Sequence, residues 1–247
     1  MSANKGSDVR RRLVSVPADG VTLEGDLVVP ARSSGVVLFA HGSGSSRHSP
    51  RNRFVARSLN AEGLATLLID LLTPAEEEVD AHTGHLRFDI ELLAQRLASA
   101  VDWLHRTEET RELPVGLFGA STGAAAALVA AAERPELVGA VVSRGGRPDL
   151  AGEALPAVQA ATLLIVGGED WPVIGLNEQA LRRLGAGEKR LVIVPGATHL
   201  FEEPGTLEEV ARLAGRWFGR FLTAPVQPST SIRNGNHRHE KEPTALH

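Results

Sequence analysis

The sequence predicts one α/β domain with a mostly parallel, doubly wound sheet, an N-terminal antiparallel hairpin and helices on both faces. Two observations support this fold class. Short continuous apolar runs, typical of strands buried on both faces, alternate with segments whose apolar residues recur at helical spacing. Ahead of them, residues 10–16 and 21–29 alternate apolar and polar positions around the turn 17–20, which indicates a hairpin. Strands that alternate with helices in this way form a parallel sheet covered on both sides.

The elements follow one another in regular order along the chain. Buried strands are predicted at residues 36–40, 65–69, 113–118, 137–143, 161–166 and 189–194. Helices are predicted at residues 51–62, 88–106, 124–132, 176–184 and 206–222, with a short helix at 150–158. Residues 71–87 are polar and predict a loop or a partly helical excursion.

Length and composition restrict the class of protein. The 247 residues fit one large domain, which we place at residues 10–222. A net charge of -4 argues against a general nucleic-acid partner, and the absence of cysteine excludes disulfides, thiolate metal sites and a cysteine nucleophile. No secretory signal or membrane-spanning run is recognisable, so we expect a soluble cytoplasmic protein with no membrane partner.

The two ends of the chain differ in composition from the rest. Residues 1–9 are polar and predict a flexible N-terminus. From residue 223 onward Pro, Ser, Asn, His and charged residues dominate and apolar periodicity is lost. This composition predicts that residues 223–247 form a disordered tail.

The segment from Gly119 to Gly123, Gly-Ala-Ser-Thr-Gly, contains the strongest functional signal. It lies between a predicted buried strand and a helix of small residues, so the G-x-S-x-G pattern has the strand–turn–helix setting of a nucleophile elbow. The helix that follows directs its N-terminal N–H groups towards the hydroxyl of Ser121. Ser121 is therefore the candidate nucleophile.

A base and an acid for this serine follow two later strands. In parallel sheets of this kind, ligands bind beyond the carboxyl ends of the strands. Asp170 comes after the strand 161–166 and His199 after the strand 189–194. The order Ser, Asp, His is that of α/β-hydrolases, in which the histidine removes the serine proton and the aspartate orients the imidazole. Glu169 and Asp149 are alternative candidates for the acid.

An oxyanion formed during acyl transfer needs hydrogen-bond donors that are already in place. The backbone N–H of Thr122, directly after the nucleophile, is one candidate donor. The second candidate is the N–H of Ser43 in the glycine-containing loop after the strand 36–40. That loop has no lysine at the position that a phosphate-binding P-loop requires.

Several other polar residues lie near the predicted site. Arg144 and Arg147 are candidates for binding a substrate carboxylate or phosphate, although ion pairs with acidic residues of the chain are the simpler interpretation. Trp171 either lines the substrate pocket or packs locally. We expect Asp70, Arg87 and Asp89 to form a salt-bridged support for the site loops.

The histidines outside the tail do not have the spacing of metal ligands. We therefore predict neither a metal nor a cofactor, and we interpret four of them as exposed loop residues: His41, His48, His82 and His85.

The motifs together resemble those of the dienelactone hydrolase-like group of α/β-hydrolases, over about residues 10–222. The resemblance rests on H-G-S-G-S-S (41–46), G-A-S-T-G (119–123), G-G-E-D-W-P-V (167–173) and G-A-T-H (196–199). The segments R-F-D (87–89) and S-R-G-G-R-P-D-L (143–150) are similar to those of related domains found alone or fused to phosphoribosyltransferases. Dienelactone hydrolase itself uses a cysteine nucleophile, whereas this chain has Ser121. The resemblance therefore implies a serine carboxylesterase rather than a dienelactone hydrolase.

The sequence predicts a serine hydrolase that cleaves small carboxylic esters through an acyl-enzyme, as a monomer or a homodimer. Two alternatives use the same fold. The triad could transfer the acyl group to an acceptor other than water, as in an acyltransferase or perhydrolase. The chain could also be a non-catalytic binding protein, although all three triad residue types are present.

Overall fold

The computed structural model describes residues 9–222; residues 1–8 and the predicted tail 223–247 lie outside the described residues. The strands are β1 (Val9–Ala18), β2 (Val21–Pro30), β3 (Val36–Ala40), β4 (Ala65–Ile69), β5 (Val115–Ala120), β6 (Val138–Arg144), β7 (Ala161–Gly167) and β8 (Lys189–Val194). The α-helices are α1 (Pro50–Ala61), α2 (Pro74–Thr83), α3 (Ile90–Arg106), α4 (Thr122–Glu133), α5 (Trp171–Arg183) and α6 (Thr206–Phe221). Two 3₁₀ segments, Leu86–Phe88 and Pro148–Ala157, complete the described elements.

The eight strands form one sheet in the order β1-β2-β4-β3-β5-β6-β7-β8. β1 pairs antiparallel with β2, and β2 pairs antiparallel with β4. From β4 to β8 every pair is parallel. The prediction of a mostly parallel, doubly wound sheet with an N-terminal hairpin is confirmed.

The core lies on both faces of the sheet because successive residues of a strand point to opposite sides. In β5, Leu117 packs into the cluster under α3, α4 and α5, while Phe118 packs into the cluster under α1 and α6. Phe118 also lies 4.8 Å, between ring centroids, from Phe39 on the neighbouring strand β3. This two-sided burial explains why the central strands read as continuous apolar runs.

The segment 71–87 contains a regular helix, α2, which the sequence left open as a loop or a helix. Thr73 and Glu76 form a reciprocal capping box and Pro74 occupies the first turn, so the helix start is well determined locally. α5 begins at Trp171, five residues before the predicted start at 176, and Pro172 lies in its first turn. The predicted helix at 150–158 is a 3₁₀ segment interrupted at Gly152, whose φ is 52°.

The close contact between α4 and the end of β3 leads to a stability prediction. A Cβ atom on Gly123 would lie 2.4 Å from the carbonyl oxygen of His41, whereas a Cβ on Gly175 in α5 would meet nothing within 4 Å. Both glycines are helical, so alanine has the same intrinsic benefit at the two sites. We expect Gly123→Ala to destabilise the protein by about 1–3 kcal/mol or more, and Gly175→Ala to leave it unchanged or stabilise it by up to about 1 kcal/mol.

Urea denaturation of the two variants tests this expectation. Equal stability of the Gly123→Ala and Gly175→Ala proteins would contradict the close approach of α4 to β3.

Candidate active site

The carboxyl ends of the parallel strands bring the predicted site residues to one edge of the sheet. Ser121 follows β5 directly and adopts φ 52° and ψ -123°, a conformation that is strained for a residue with a side chain. The glycines on either side permit it. A Cβ on Gly119 would lie 2.4 Å from Cα of Ala124, and a Cβ on Gly123 would collide with the His41 carbonyl. These contacts are what a nucleophile elbow requires.

The backbone of Ser121 is fixed to the neighbouring strand. Its N–H donates to the carbonyl oxygen of Arg144 at 3.3 Å, and its own carbonyl oxygen accepts from the N–H of Arg147 at 3.1 Å. The strained turn is thus held by the end of β6 as well as by the start of α4. Its side chain is partly exposed, so the hydroxyl can be reached from the edge of the sheet.

His199 and Asp170 form a direct hydrogen bond. Nδ1 of His199 lies 2.7 Å from Oδ2 of Asp170. Because a carboxylate accepts, this contact places the imidazole proton on Nδ1 and leaves Nε2 as the acceptor for a serine proton. The hydrogen bonds found within residues 9–222 include none between Ser121 Oγ and the His199 ring.

The two alternative acids have other partners. Glu169 is exposed and accepts from Nε1 of Trp171 at 3.3 Å. Asp149 accepts two hydrogen bonds from the guanidinium of Arg147, at 2.9 and 2.8 Å. The geometry therefore favours Asp170 as the residue that orients His199.

The loop that carries His199 is held by residues that the sequence did not single out. Phe201 is buried and has a φ of 57°, a left-handed conformation that is rare for an aromatic residue. Glu203 accepts from the N–H and the hydroxyl of Thr198, at 3.1 and 2.6 Å. The hydrogen bond from the Thr198 side chain is the largest of the contacts that lower the pKa of Glu203. The available sequence signal was an aromatic residue two positions after the candidate histidine, whose burial the sequence does not show.

The structure brings the two candidate oxyanion donors together. The N–H of Ser43 donates to Oγ1 of Thr122 at 2.9 Å, so the loop after β3 is tied to the first residue of α4. A Cβ on Gly42 would lie 3.0 Å from Cβ of Ser121, which places this loop directly against the elbow. In this structure the Ser43 N–H is thus paired with a side chain of the site itself.

His41, at the base of the same loop, is buried with 8% of its surface exposed, so its interpretation as an exposed histidine was wrong. Its Nε2 accepts from the N–H of Leu71 at 3.0 Å, and its Nδ1 donates to the carbonyl oxygen of Gly42 at 3.0 Å. Burial lowers the pKa of His41, although the Gly42 hydrogen bond and Asp70 act in the opposite direction. The neutral ring, at the end of β3, links the loop after β3 to the segment that follows β4. The other three predicted loop histidines are exposed, as expected: His48, His82 and His85.

The predicted cluster of Asp70, Arg87 and Asp89 does not form. Asp70 instead accepts from the N–H of Arg47 at 2.6 Å and also binds its guanidinium, so Asp70 holds the loop after β3. Arg87 pairs with the buried Asp80 of α2. Asp89 caps α3, where its side chain accepts from the N–H of Leu92. The three residues therefore have separate partners. The partner of Asp70, Arg47, is distant along the chain, so spacing in the sequence does not reveal that pair.

A cleft of about 310 Å³ lies beside the loop after β3, next to α2. Most of its lining residues have polar or charged side chains, and two are leucines: His41, Gly42, Ser43, Gly44, Ser45, Ser46, Leu72, Glu77, Asp80, Arg87 and Leu93. Burial and the nearby carboxylate of Asp70 raise the pKa of Glu77. The cleft is a candidate for binding part of a substrate.

The three candidate substrate contacts have different environments. Arg147 is paired with Asp149, as the simpler interpretation expected. Trp171 is 73% exposed and does not pack into the core. Arg144 is buried and has no hydrogen bond to a carboxylate within residues 9–222; its Nη2 lies 3.5 Å from Oδ1 of Asn52.

A strained serine at a strand–helix turn, a histidine–aspartate pair after later strands and a mostly parallel sheet define the class of α/β-hydrolases. The model of the dienelactone hydrolase family matches residues 23–222. The chain belongs to the dienelactone hydrolase family.

Among the described residues, no helix has both the length and the apolar character needed to cross a membrane.

A solved structure agrees with this assignment, whereas the curated relatives carry the name of a different activity. A dienelactone hydrolase from Anabaena variabilis is 64% identical, with a TM-score of 0.85 over 87% of this chain and 99% of that chain. A cold-adapted esterase from an Arctic intertidal metagenomic library shares the fold, with a TM-score of 0.69 and 21% identity over 90% of this chain and 100% of that chain. Relatives from two strains of Mycobacterium tuberculosis, provisionally named phosphoribosyl transferases, are 58% identical over 217 residues, or 88% of this chain. This chain spans about half of their length, 48%.

The buried neutral His41 predicts a pH-dependent stability. The unfolded chain binds a proton at His41 near the ordinary value of 6.5, and the folded chain does so only at lower pH. The free energy of unfolding is therefore unaffected by protonation of His41 above pH 6.5. Below pH 6.5 this protonation lowers the free energy of unfolding, by at most about 1.4 kcal/mol per pH unit.

We expect the difference in unfolding free energy between pH 7.5 and pH 5.5 to be smaller in His41→Gln than in the wild type, measured by urea denaturation at about those two values. His82→Gln, which changes an exposed histidine of α2, is the matched control and should retain the wild-type difference. An unchanged difference in His41→Gln would contradict the burial of a neutral ring.

Proposed function

We propose that the protein is a serine hydrolase that cleaves carboxylic ester bonds through an acyl-enzyme. The observation that carries the proposal is the 2.7 Å contact between His199 Nδ1 and Asp170 Oδ2 at the same sheet edge as the strained Ser121. In the neutral imidazole that contact places the proton on Nδ1, so that Nε2 is the nitrogen able to accept a proton as a general base.

The reaction begins when Oγ of Ser121 attacks the ester carbonyl carbon while His199 Nε2 takes the hydroxyl proton. Negative charge then develops on the carbonyl oxygen. The proposed first donor to this oxygen is the N–H of Thr122 at the start of α4, where the positive end of the helix dipole also favours negative charge. The N–H of Ser43 becomes the second donor when it exchanges its bond to Thr122 Oγ1 for the oxyanion.

Collapse of the tetrahedral species breaks the bond to the alcohol oxygen, which receives the proton from His199. The acyl group is then bound to Ser121. Water, deprotonated by the same histidine, attacks the acyl carbon and releases the carboxylic acid together with the free serine. Asp170 stabilises the imidazolium in both halves of the reaction and stays ionised.

The nucleophile distinguishes this chain from the namesake activity of its family. A serine hydroxyl is a weaker nucleophile than a thiolate and depends fully on its base. The ordered Asp170–His199 pair supplies that base here. We therefore propose small carboxylic esters, rather than dienelactones, as the substrates.

Removal of the nucleophile is the first test. We expect the wild type to hydrolyse short-chain p-nitrophenyl esters and to be labelled by a fluorophosphonate probe. Ser121→Ala should lose both properties, with a fall in kcat/KM of about 10³-fold or more. Hydrolysis that survives in Ser121→Ala would contradict the proposal.

Two other outcomes would identify the alternatives. Labelling of Ser121 without hydrolysis of any ester would contradict ester hydrolysis and indicate acyl transfer to an acceptor other than water. Absence of both labelling and hydrolysis in the wild type would indicate a non-catalytic binding protein.

The choice of acid is tested by two neighbouring substitutions that each remove one charge. Asp170→Asn should lower kcat by about 10²- to 10⁴-fold, because the amide N–H can donate to Nδ1 and favour the wrong tautomer, and because the amide has no charge to stabilise the imidazolium. Glu169→Gln should leave kcat within about twofold, because Glu169 is exposed and contacts Trp171. Steady-state kinetics on one p-nitrophenyl ester measures both, and equal losses in the two variants would refute the assignment.

A further inference from the structure

Two arginines are buried within residues 9–222, and they differ in their compensation. Arg96 is 2% exposed and donates to both carboxylate oxygens of Glu76 and to the carbonyl oxygen of Leu71. Arg144 is 6% exposed and has no carboxylate partner. A buried charge without a counter-ion is costly, so Arg144 needs an explanation that Arg96 does not.

The hydrogen bonds of Arg144 are also incomplete. The guanidinium has five N–H donors, and its one hydrogen bond within the described residues is the 3.5 Å contact to Oδ1 of Asn52. Its Nε is buried without a partner, as are the Nε atoms of Arg47, Arg51 and Arg96, so Nε alone does not distinguish Arg144. The other contact is the ring of Phe201, whose centroid lies 5.9 Å from Cζ. What distinguishes Arg144 is a buried guanidinium with one long hydrogen bond and no carboxylate, which indicates a missing acceptor.

A second guanidinium, that of Arg51, lies close enough for its positive charge to act on the first. Burial, and to a smaller extent the positive charge of Arg51, lower the pKa of Arg144 to about 10, so Arg144 is still charged at neutral pH. Nε of Arg51 is likewise buried without a partner, although its Nη1 donates to the exposed Glu202 at 3.0 Å. Like charges repel unless an anion lies between them or against both.

The position of these residues connects them with the proposed active site. Arg144 ends β6, and its carbonyl oxygen accepts from the N–H of Ser121. Phe201, under the guanidinium, comes two residues after His199. Arg51 and Asn52 lie in the first turn of α1, whose positive dipole end favours an anion.

We propose that Arg144, Arg51 and Asn52 form a binding site for a phosphate group beside the nucleophile. Three side chains on two elements offer more donors than the two oxygens of a planar carboxylate can accept, and a tetrahedral phosphate has the oxygens to use them. Arg51 is the outer side chain, about a third exposed, and moves to admit the anion. This inference deepens the proposed function, because it assigns the substrates to esters that also carry a phosphate group.

Direct binding of inorganic phosphate tests the site without any catalytic turnover. Isothermal titration at constant ionic strength, balanced with chloride, should show binding to the wild type and to Ser121→Ala alike. Arg144→Gln should weaken binding by about tenfold or more. Arg134→Gln is the matched control, since Arg134 is paired with Asp102 far from the site and its loss removes the same charge.

Thermal unfolding checks that Arg144→Gln is folded. It is measured on the wild type, Ser121→Ala, Arg144→Gln and Arg134→Gln. Arg144→Gln removes an uncompensated buried charge, so we expect its Tm in phosphate-free buffer to be no lower than that of the wild type. Added phosphate should raise the Tm of the wild type and of Arg134→Gln, and raise that of Arg144→Gln much less. Equal increases in all of them would overturn the proposal.

A carboxylate probe tests the shape of the anion. Sodium acetate should bind at least about tenfold more weakly than phosphate, because it offers fewer acceptors. Acetate that binds as tightly as phosphate would overturn the assignment to a phosphate group, and failure of phosphate to bind the wild type would overturn the site.

The outcomes also separate this proposal from the proposed function. Phosphate binding that depends on Arg144, in a protein that hydrolyses no ester, would leave the anion site standing and remove the esterase. Ester hydrolysis that depends on Ser121, in a protein that binds no phosphate, would support the esterase and overturn the anion site.

Discussion

The close packing of α4 against the ends of β3 and β5 is the constraint on which the rest of the site depends. Hypothetical Cβ atoms at Gly119 and Gly123 would both lie 2.4 Å from neighbouring backbone, so only glycine permits the turn in which Ser121 has a positive φ. The same contact brings the loop after β3 against α4, where Ser43 and Thr122 form their hydrogen bond. The proposed nucleophile and the proposed oxyanion donors are therefore positioned by one packing arrangement, and a change that separates the backbones would affect them together.

The loop after β3 is held in place by polar contacts to β4 and the residues that follow it. The His41 ring bridges the N–H of Leu71 and the carbonyl of Gly42, and Asp70 binds Arg47 further along the same loop. These contacts are buried or half-buried, where hydrogen bonds are costly to break. Rigid placement of the loop matters because the proposed exchange of the Ser43 N–H from Thr122 Oγ1 to an oxyanion then requires no movement of the loop as a whole. A neutral His41 serves this purpose better than a charged one, since both of its ring nitrogens are already used as one donor and one acceptor.

Local patterns in the sequence were sufficient for the fold and for the identity of the triad candidates. Buried strands read as apolar runs, and Ser121, Asp170 and His199 each follow such a run, so their meeting at one edge could be predicted from topology alone. The hydrogen-bond partners of buried polar groups could not be predicted in this way. His41 is satisfied by Leu71, and Arg47 by Asp70, each more than twenty residues away along the chain. Phe201 and Glu203, which hold the His199 loop, belong to no motif, because their role arises from burial and loop geometry.

Arg144 and Arg147 show most clearly what the fold adds. In the sequence they flank two glycines and are equivalent, yet one lies on the core side of the sheet edge and the other faces a nearby carboxylate. Arg147 forms an ion pair with Asp149, and both side chains are partly exposed. Such a pair contributes little to stability, and the charge of Arg147 needs no further partner. Arg144 keeps its charge in a buried position next to Arg51, at a cost that no carboxylate of the described residues offsets. A fold that retains such a residue beside its nucleophile is better explained by an anionic ligand than by stability, because a neutral side chain of similar size would pack there at lower cost.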